Sequence, residues 1–459
     1  MSKKLFIKTY GCQMNVYDSA RMADVLAPLG YTPAEGPEDA DMVVLNTCHI
    51  REKAEEKVFS ELGRLKPLKI EREKAGGRMI LAVAGCVAQA EGAEILSRAP
   101  FVDLVLGPQT YHRLPEMVAR VTRAAGAVLD TEFPAEAKFD FLPETTSSKG
   151  VSAFLSIQEG CDKFCTFCVV PYTRGAEYSR PLADVIAEAR GLALGGVREV
   201  TLLGQNVNAY HGDADGRSAN FAELIRRVAD IDGIERIRYT TSHPIDMDDD
   251  LIAVHGELAQ LMPFLHLPVQ SGSDSMLARM NRHHKIDLYR GIVDKLLRAR
   301  PDLKLSTDFI VGFPGETDAE FQATLSFARE MGFVQAYCFK YSARPGTPAA
   351  ILPGQLSEAI KSERLAALQQ VLETNQLVFN ESCVDRVMPI LFDRPGRKPG
   401  QMIGRSPYMQ PVHAMVPDHA FGDILDVRIV SARTISLGGE LAVPILGSNP
   451  SVTHRGANV

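Results

Sequence analysis

Alternation of short apolar runs with helical patterns is the feature that most limits what this chain can fold into. The first part of the chain predicts strands at residues 5–10, 42–46, 79–84 and 102–106. A second series predicts strands at 153–158, 199–203, 236–241, 264–269, 304–311 and 334–341, with helices between them. Such alternation gives parallel sheets with helices on their faces, and ligands gather at the carboxyl ends of the strands. The expected fold class is therefore α/β.

The pattern also predicts how the chain divides into domains. Residues 126–150 lack clear periodicity and end in a polar stretch, which is typical of a linker. Six strand–helix units after it predict a partial (β/α)6 barrel, and five short β-like runs near the C-terminus predict a small antiparallel β-barrel. The expected boundaries are 1–125 for an N-terminal parallel-sheet domain, 126–150 for the linker, 151–378 for the partial barrel, 379–446 for the small barrel and 447–459 for a disordered tail.

Composition narrows the setting in which the chain works. No apolar run is long enough for a signal peptide or a membrane span, so we expect a cytoplasmic monomer that does not bind membranes. The eight cysteines are sparse for a disulfide scaffold in a chain of 459 residues, and they should be reduced and available as metal ligands. A net charge of −7 does not indicate a nucleic-acid binder, although a local basic surface can exist within an acidic total.

Three cysteines on one short loop, Cys161, Cys165 and Cys168, have the spacing Cys-x3-Cys-x2-Cys. A four-iron cluster takes four ligands, so three thiolates leave one iron open to a small molecule. S-adenosylmethionine can chelate such an iron through its amino and carboxylate groups, and a cluster electron can then cleave the sulfonium to give a carbon radical. A redox Cys-x2-Cys pair or a zinc knuckle that uses Cys165 and Cys168 is the alternative.

Three further cysteines, Cys12, Cys48 and Cys86, each follow a predicted strand of the N-terminal sheet. Each could be a small buried hydrophobic residue, which is common for a single cysteine. Three in equivalent positions favour a metal site, because the carboxyl ends of parallel strands meet at one edge. A zinc site completed by His49 is possible by ligand type, but His49 directly follows Cys48 and adjacent ligands fit poorly.

Polar motifs follow the other predicted strands of the partial barrel. Phe167 is placed to pack on an adenine, and the motifs supply polar groups for a ribose and a carboxylate, with Gln205, Asn206, Ser242, Gln270 and Glu316 as the cofactor-binding candidates. Each motif taken singly also fits ordinary turn chemistry. His243 and His266 fit either a contact with substrate or cofactor, or a structural hydrogen bond.

Basic residues are the candidates for binding a substrate. Arg174 and Arg344 lie close to the proposed site and could hold a phosphate or a carboxylate. Arg397 and Lys398 belong to a basic group at the first turn of the small barrel, and Tyr408 lies nearby. Basic and aromatic residues on a small barrel suit single-stranded nucleic acid, whereas the alternative is a solvated loop.

These motifs resemble the radical S-adenosylmethionine methylthiotransferases, specifically the tRNA type called MiaB, over nearly the whole chain. The small barrel is similar to a TRAM domain, an RNA-binding module. Besides the cysteine loop, the resemblance rests on TYGCQMN at 9–15, NTCHIREK at 46–53, AGCVAQ at 84–89, LLGQNVN at 202–208, HLPVQSGS at 266–273 and DFIVGFPGET at 308–317. The last motif adds Asp308 to the cofactor-binding candidates. The segment 174–180, which follows the cysteine loop, resembles a substrate-side segment of the family and adds Arg180 to the substrate-binding candidates.

The resemblance implies a function. Cys12, Cys48 and Cys86 would bind an auxiliary [4Fe–4S] cluster, besides the cluster at the Cys-x3-Cys-x2-Cys loop. Two S-adenosylmethionine molecules would serve methylthiolation of carbon 2 of an isopentenylated adenosine beside the anticodon of tRNA. An electron donor and a sulfur source, both unidentified, would be the other partners. The alternatives are a sister methylthiotransferase that acts on another tRNA adenosine or a ribosomal protein, and a non-catalytic zinc protein that binds RNA.

Overall fold

The computed structural model describes residues 2–48, 54–123, 126–134, 136–143 and 150–442. The chain forms two compact units, Met1–Leu372 and Glu373–Val459. None of the described helices is long and apolar enough to cross a membrane.

A six-stranded parallel sheet forms the first part of unit one, with strand order β2-β1-β3-β4-β5-β6. Its strands are β1 (Lys3–Thr9), β2 (Tyr31–Pro33), β3 (Met42–Thr47), β4 (Ile80–Gly85), β5 (Leu104–Leu106) and β6 (Val128–Asp130). Its helices are α1 (Gln13–Leu26), α2 (Ala54–Lys74), α3 (Cys86–Arg98) and α4 (Leu114–Arg123). Alternate residues of β3 enter two different cores, because helices cover both faces of the sheet: Met42 and Val44 on one face, Val43 and Leu45 on the other.

Two strands of this sheet differ from what the sequence predicts. The predicted linker at 126–150 contains β6, which pairs with β5 from Leu104 opposite Val128 to Leu106 opposite Asp130. The strand β2 was not predicted at all. Both have only three residues, and neither is apolar throughout, unlike the equally short β5, which reads Leu-Val-Leu. Residues 144–149 of the predicted linker lie outside the described residues.

Six parallel strands form the central part of unit one and confirm the predicted partial barrel. They are β7 (Ser152–Ser156), β10 (Glu199–Leu203), β13 (Arg236–Thr240), β14 (Phe264–His266), β15 (Lys304–Val311) and β16 (Gln335–Lys340). Two three-stranded sheets, β7-β10-β13 and β14-β15-β16, are joined by a parallel bridge between Ile237 and Leu261. The six strands therefore follow one another in chain order around a core that includes Leu202, Leu265 and Phe309.

Helices follow the strands of this partial barrel, and short elements decorate it. The helices are α5 (Val170–Thr173), α6 (Leu182–Leu194), α7 (Phe221–Ala229), α8 (Asp249–Glu257), α9 (Asp274–Arg279), α10 (Ile286–Ala299) and α11 (Asp318–Met331), and the short strands are β8 (Gln158–Glu159), β9 (Tyr178–Ser179), β11 (His211–Ala214) and β12 (Arg217–Asn220). The β11–β12 hairpin was not predicted, although its turn, Asp215-Gly216, has positive φ at both residues as a tight hairpin requires.

The second unit contains a closed five-stranded barrel, as the sequence predicts. Its strands are β17 (Val387–Pro395), β18 (Gln401–Arg405), β19 (Pro411–Met415), β20 (Ile424–Ala432) and β21 (Leu437–Leu441), in the order β17-β18-β19-β21-β20. The pairing is antiparallel except between β19 and β21, which are parallel. The long helix α12 (Glu358–Glu381) precedes the barrel, and the boundary between the two units falls within it. The predicted disordered tail at 447–459 lies outside the described residues.

Candidate active site

The structure brings Cys12, Cys48 and Cys86 to one edge of the N-terminal sheet. Strands β1, β3 and β4 are neighbours, and Thr47 of β3 lies opposite Gly85 of β4. Cys48 and Cys86 are therefore the next residues of two aligned strands. Cys12 follows β1 at the N-cap position of α1. His49, the fourth ligand of the zinc alternative, lies outside the described residues.

Glycines allow the three cysteine loops to approach one another. Gly11 has a φ of +110°, and a Cβ added to it would overlap the Cβ of Cys48. Gly85 has a φ of +91°, and a Cβ there would overlap the carbonyl of Thr47. Only glycine adopts such conformations without strain and leaves this space. The backbone is thus built for close contact between the loops at this edge.

The thiols at this edge differ in their electrostatic environment. A hydrogen bond with Cys48, followed by the positive charge of Arg174, lowers the pKa of Cys12 to about 6 against the effect of burial. Burial raises the pKa of Cys86, which Arg174 and the Thr173 hydroxyl partly offset. A site that favours thiolate at Cys12 and that draws Cys48 into hydrogen-bond contact fits a bound metal cluster.

The second cysteine loop joins β8 to α5 in the partial barrel. Gly160 has a φ of +73° and donates its N–H to the side-chain oxygen of Gln205 over 2.6 Å. The Cys168 N–H donates to the carbonyl of Cys165 over 3.0 Å, and the Val170 N–H donates to the Cys168 sulfur over 3.5 Å. These bonds fix the turn that presents the three thiols.

Burial and mutual repulsion make bare thiolates unfavourable on this loop. Burial, together with the negative charge of Cys165, raises the pKa of Cys161 to about 11 and that of Cys168 to about 12. Three such groups can all be ionised when a cation or a cluster neutralises them. The donor set therefore fits one [4Fe–4S] cluster with three thiolate ligands.

No group of three or more His, Cys, Asp or Glu side chains in the described part of the chain has the geometry to hold a single metal ion. A cube-shaped cluster takes each thiolate on a different iron, so its ligands are spaced further apart than those around one ion.

A segment that sequence reasoning missed holds the cysteine loop in place. The Thr166 N–H donates to the Met280 carbonyl over 3.1 Å, and Asn281 donates from Nδ2 to the Phe164 carbonyl over 2.9 Å. Arg282, which is buried, donates to the sulfur of Cys165 over 3.5 Å. The polar run Arg279-Met-Asn-Arg-His-His284 was the only available signal, and it has no periodicity.

Gln205 and Asn206 lie beside this loop. Gln158, another residue not singled out from the sequence, accepts hydrogen bonds from both of their N–H groups over 2.8 and 3.1 Å and donates to the Gly160 carbonyl over 2.8 Å. Asn206 donates to Asp246 over 2.8 Å, while its amide oxygen is buried and has no partner among the described residues. This oxygen is a free acceptor for a ligand.

Ser242 and His243 follow β13 on the same rim. The Ser242 hydroxyl and the His243 Nε2 are both buried without a hydrogen-bond partner in the part of the chain that the structure describes. Burial, with the charge of Arg282, lowers the pKa of His243, so this imidazole is neutral. Buried polar groups are normally paired, and these unpaired ones fit a site that binds a polar molecule.

Gln270, Asp308 and Glu316 come from the other half of the partial barrel. Gln270 has a φ of +78°, and its N–H donates to the Asp308 carbonyl over 2.9 Å. The Asp308 carboxylate lies 3.4 Å from Nε2 of His266. Glu316 accepts from the Gly312 N–H over 2.7 Å and pairs with Arg364 at 2.8 Å, so its carboxylate holds the loop after β15.

Phe167 is half-buried against an apolar cluster that belongs to the loops after the last three strands. This cluster contains Met276, Met280, Phe313 and Tyr341. The arrangement fixes the ring between the cysteine loop and the rim, where a planar ligand could stack on it.

The predicted substrate-binding arginines have different surroundings. Arg174 is buried in ion pairs with Asp18 and Glu159. Arg180 is buried too and pairs with Glu188 at 2.7 Å. Neither guanidinium can reach a substrate in this arrangement. Arg344 is half-buried in the turn after β16, where its carbonyl accepts from the Thr347 hydroxyl over 2.8 Å. Arg397 and Lys398 are exposed at the β17–β18 turn of the second unit.

Comparisons with known proteins agree with this picture. Residues 4–107 match the family described as "Uncharacterized protein family UPF0004", and residues 155–328 match the radical SAM superfamily. The chain is 60% identical over 444 residues to the tRNA-2-methylthio-N(6)-dimethylallyladenosine synthase of Maricaulis maris (strain MCS10). The aligned region covers 96% of this chain and 97% of that protein.

Two solved structures share the fold at low sequence identity. The radical S-adenosylmethionine methyltransferase TsrM of Kitasatospora setae, solved with cobalamin and a [4Fe–4S] cluster, has a TM-score of 0.56 at 15% identity and covers 76% of this chain and 77% of its own. The cobalamin-dependent S-adenosylmethionine radical enzyme OxsB has a TM-score of 0.54 at 11% identity, and the match covers 80% of this chain and 56% of the OxsB chain. These two structures share the mixed α/β fold, and the match of residues 155–328 to the radical SAM superfamily implies a [4Fe–4S] cluster and S-adenosylmethionine. The chain belongs to the family of tRNA-2-methylthio-N(6)-dimethylallyladenosine synthases and is a radical SAM methylthiotransferase.

Proposed function

We propose that this protein methylthiolates carbon 2 of N6-isopentenyladenosine next to the anticodon of tRNA, using two [4Fe–4S] clusters and two S-adenosylmethionine molecules. Cys161, Cys165 and Cys168 would hold the cluster that cleaves S-adenosylmethionine. The three cysteines at the edge of the N-terminal sheet, Cys12, Cys48 and Cys86, would hold the auxiliary cluster. When bound, the first cluster supplies the electron that generates a radical, and the second supplies the sulfur.

The observation that carries the proposal is the presence of two three-cysteine sites joined by one short segment. The helix α5 begins two residues after Cys168, and its last residue, Thr173, has its hydroxyl in hydrogen-bond contact with Cys86. Two such sites linked by one short helix suit a reaction in which a radical made at one is used beside the other. A protein with one cluster would need no second cysteine set here.

Residues of the rim would bind and orient S-adenosylmethionine. The unpaired oxygen of Asn206 and the unpaired hydroxyl of Ser242 would take polar groups of the cofactor. Gln205, beside Asn206, and Gln270 and Asp308, from the other half of the partial barrel, would supply further polar groups. Phe167 would pack on the adenine and exclude water from that side. Glu316 would act indirectly, through the loop that it holds with Arg364.

A positive surface of the small barrel would bind the tRNA. Arg397 and Lys398 are exposed at one turn. Burial, followed by the charges of Arg394, Arg397 and Arg433, lowers the pKa of His413 on β19. These arginines are thus near enough to His413 to act on its charge, and such a concentration of positive charge favours contact with phosphates. Arg344 would contact substrate nearer the partial barrel.

The remaining features of the proposal are the domain limits and the partners. The N-terminal domain would cover residues 1–125 with β6 added, the partial barrel 151–378 and the RNA-binding barrel 379–446. The protein would work as a cytoplasmic monomer, and an electron donor and a sulfur source would supply the clusters.

Mass spectrometry of nucleosides from bulk tRNA tests the proposal. Cells that lack this protein should accumulate N6-isopentenyladenosine and lose its 2-methylthio form, and the intact gene should restore it. A variant with Cys12, Cys48 and Cys86 changed to Ala should not. Unchanged 2-methylthio-N6-isopentenyladenosine with loss of another methylthio nucleoside, or of a methylthiolated ribosomal protein, would instead identify a sister enzyme.

A further inference from the structure

Four ionisable side chains are buried together between the N-terminal sheet and the segment that follows Cys168. They are Asp18 on α1, Lys138, Glu159 on β8 and Arg174 at the end of α5, and each is 3% exposed or less. Arg174 lies 2.6 Å from Asp18 and also pairs with Glu159. Lys138 lies 2.6 Å from Glu159 and 3.6 Å from Asp18. Two cations and two anions therefore form one neutral group, the buried charge cluster.

The buried charge cluster contacts the auxiliary cysteine site through Asn15 and is adjacent in sequence to the radical cysteine loop. The Cys12 thiol donates to the side-chain oxygen of Asn15 over 3.6 Å, and Arg174 donates from Nη2 to that same oxygen over 3.3 Å. Glu159 is two residues before Cys161. Arg174 is the member that shares the Asn15 oxygen with the Cys12 thiol. Of the four side chains, Arg174 would therefore have the most direct electrostatic effect on a cluster bound by these cysteines.

Stability alone does not account for this arrangement. Desolvation of buried charges offsets most of their mutual attraction, and apolar residues of similar volume often stabilise a protein as well or better. A positive charge beside metal ligands has a second effect, because it stabilises the state of the metal centre that carries more negative charge.

We propose that Arg174 is a positioning residue for the auxiliary site: it holds Asn15 and Asp18 against the segment that follows the radical cysteines, and it stabilises the reduced state of a cluster bound by Cys12, Cys48 and Cys86. This inference rests on the proposed function, because it requires a cluster at those cysteines. Arg174 then serves the auxiliary site from within the protein and not as a contact to substrate.

The test uses the full-length protein with Cys161, Cys165 and Cys168 changed to Ala, so that only an auxiliary cluster can give a signal. The double variant Asp18→Asn/Arg174→Gln removes one cation and one anion and keeps the buried charge cluster neutral. Arg174→Lys keeps the positive charge. Arg180→Gln/Glu188→Gln is the matched control, because it removes another buried pair that follows the same loop. Electron paramagnetic resonance during a redox titration measures the ratio of reduced to oxidised cluster.

In the Asp18→Asn/Arg174→Gln variant, the ratio of reduced to oxidised cluster at a fixed potential should fall about tenfold, which is 59 mV for a one-electron couple. Arg174→Lys and the control should stay within about threefold of the parent, a change of under 30 mV on that scale. If the double variant loses its iron while its circular dichroism and melting temperature match those of the control, the positioning role is supported directly. If it fails to fold, Arg174→Lys decides, because a tenfold fall there would overturn the assignment to charge.

An unchanged ratio in the folded, iron-containing double variant would overturn the role of Arg174 and leave the proposed function intact. A parent protein that binds no iron without the radical cysteines would overturn the proposed function itself. The two failures are therefore distinguishable by the iron content of the parent.

Discussion

Arg282 donates a hydrogen bond from Nη1 to the sulfur of Cys165 over 3.5 Å, although the two residues are 117 positions apart. Its other terminal nitrogen donates to the Pro268 carbonyl over 2.7 Å, and the side chain is buried. The guanidinium is thus held in one orientation by a backbone carbonyl on one side and presents its other edge to the cysteine loop. Hydrogen bonds to cluster sulfurs are among the factors that set reduction potentials.

Replacing Arg282 with Met should make the potential of the radical cluster more negative by roughly 60 mV, a tenfold change in the reduced fraction. The reason is the loss of both a donor and a positive charge beside the thiolate. A redox titration of protein with Cys12, Cys48 and Cys86 changed to Ala isolates this cluster.

Arg279→Met is the matched control for Arg282, since Arg279 lies three residues earlier and directs its guanidinium to Glu320 and the Gly315 carbonyl. Replacing Arg279 should leave the potential of the radical cluster within about 20 mV of that of the parent protein, which is roughly a twofold change in the ratio of reduced to oxidised cluster. Equal shifts in both variants would mean that the Arg282–Cys165 hydrogen bond does not set the potential.

The two cysteine sets should be separable in function. Changing Cys161, Cys165 and Cys168 to Ala should abolish formation of 5′-deoxyadenosine, because no iron would remain to bind and reduce S-adenosylmethionine. Changing Cys12, Cys48 and Cys86 to Ala should preserve that cleavage and stop methylthiolation. Chromatography of both products after anaerobic incubation with dithionite measures the two activities.

Changing Cys338 and Cys383 to Ala controls for general loss of thiols, because these cysteines lie outside both sites, and both products should persist. Formation of 5′-deoxyadenosine by the first triple variant would reverse the assignment of the two sites.

The sequence predicted the parts of this site that depend on local pattern. Cys48 and Cys86 lie side by side because two neighbouring parallel strands end in register, and a strand–cysteine pattern is visible without a structure. The contacts that hold the site were not predictable in the same way. Arg174 meets Asp18 across 156 positions, and no local periodicity encodes such a pair. The sequence predicts Arg174 and Arg180 as substrate ligands, because it does not reveal that acidic partners already pair with both guanidinium groups.

Short elements were the other limit on what the sequence predicted. The three-residue strands β2 and β6 and the polar β11–β12 hairpin have too few alternating apolar residues to be recognised. Long strands such as β15, Lys304–Val311, were predicted with their observed bounds because they carry a full apolar pattern.

Gly11→Ala should destabilise the auxiliary site much more than an ordinary glycine replacement does. A Cβ at this position overlaps Cys48 at a φ of +110°, so both steric overlap and backbone strain apply. We expect loss of iron from the auxiliary site and a fall in the free energy of unfolding of about 3 kcal/mol, within the range for overpacking with strain. Iron content and urea unfolding followed by circular dichroism measure the two effects.

Gly30→Ala controls for conformational strain alone, since Gly30 has a φ of +82° and open space around its Cα. The Gly30→Ala replacement should lower the free energy of unfolding by about 1 kcal/mol and leave the iron content unchanged. Normal iron in Gly11→Ala would show that the close approach of Gly11 to Cys48 is not needed for cluster binding.

Neutralising the turn of the small barrel should weaken tRNA binding in a salt-dependent way. Arg397 and Lys398 are exposed at the β17–β18 turn, where only their backbone groups form hydrogen bonds with other described residues. The Arg397 N–H donates to the side-chain oxygen of Gln401 over 3.2 Å, and the Lys398 carbonyl accepts from the Gln401 N–H over 3.0 Å. Each phosphate contact contributes about 0.7 to 0.9 to the slope of log affinity against log salt. The Arg397→Gln/Lys398→Gln variant should therefore lose about 1.4 to 1.8 from that slope if both side chains contact phosphates.

The control is Arg290→Gln, because Arg290 is exposed but already paired with Glu330 at 2.7 Å, and the slope of this variant should not change. Filter binding of tRNA between low and moderate salt gives both slopes, and equal slopes in the double variant and the control would place the RNA contact elsewhere on the protein.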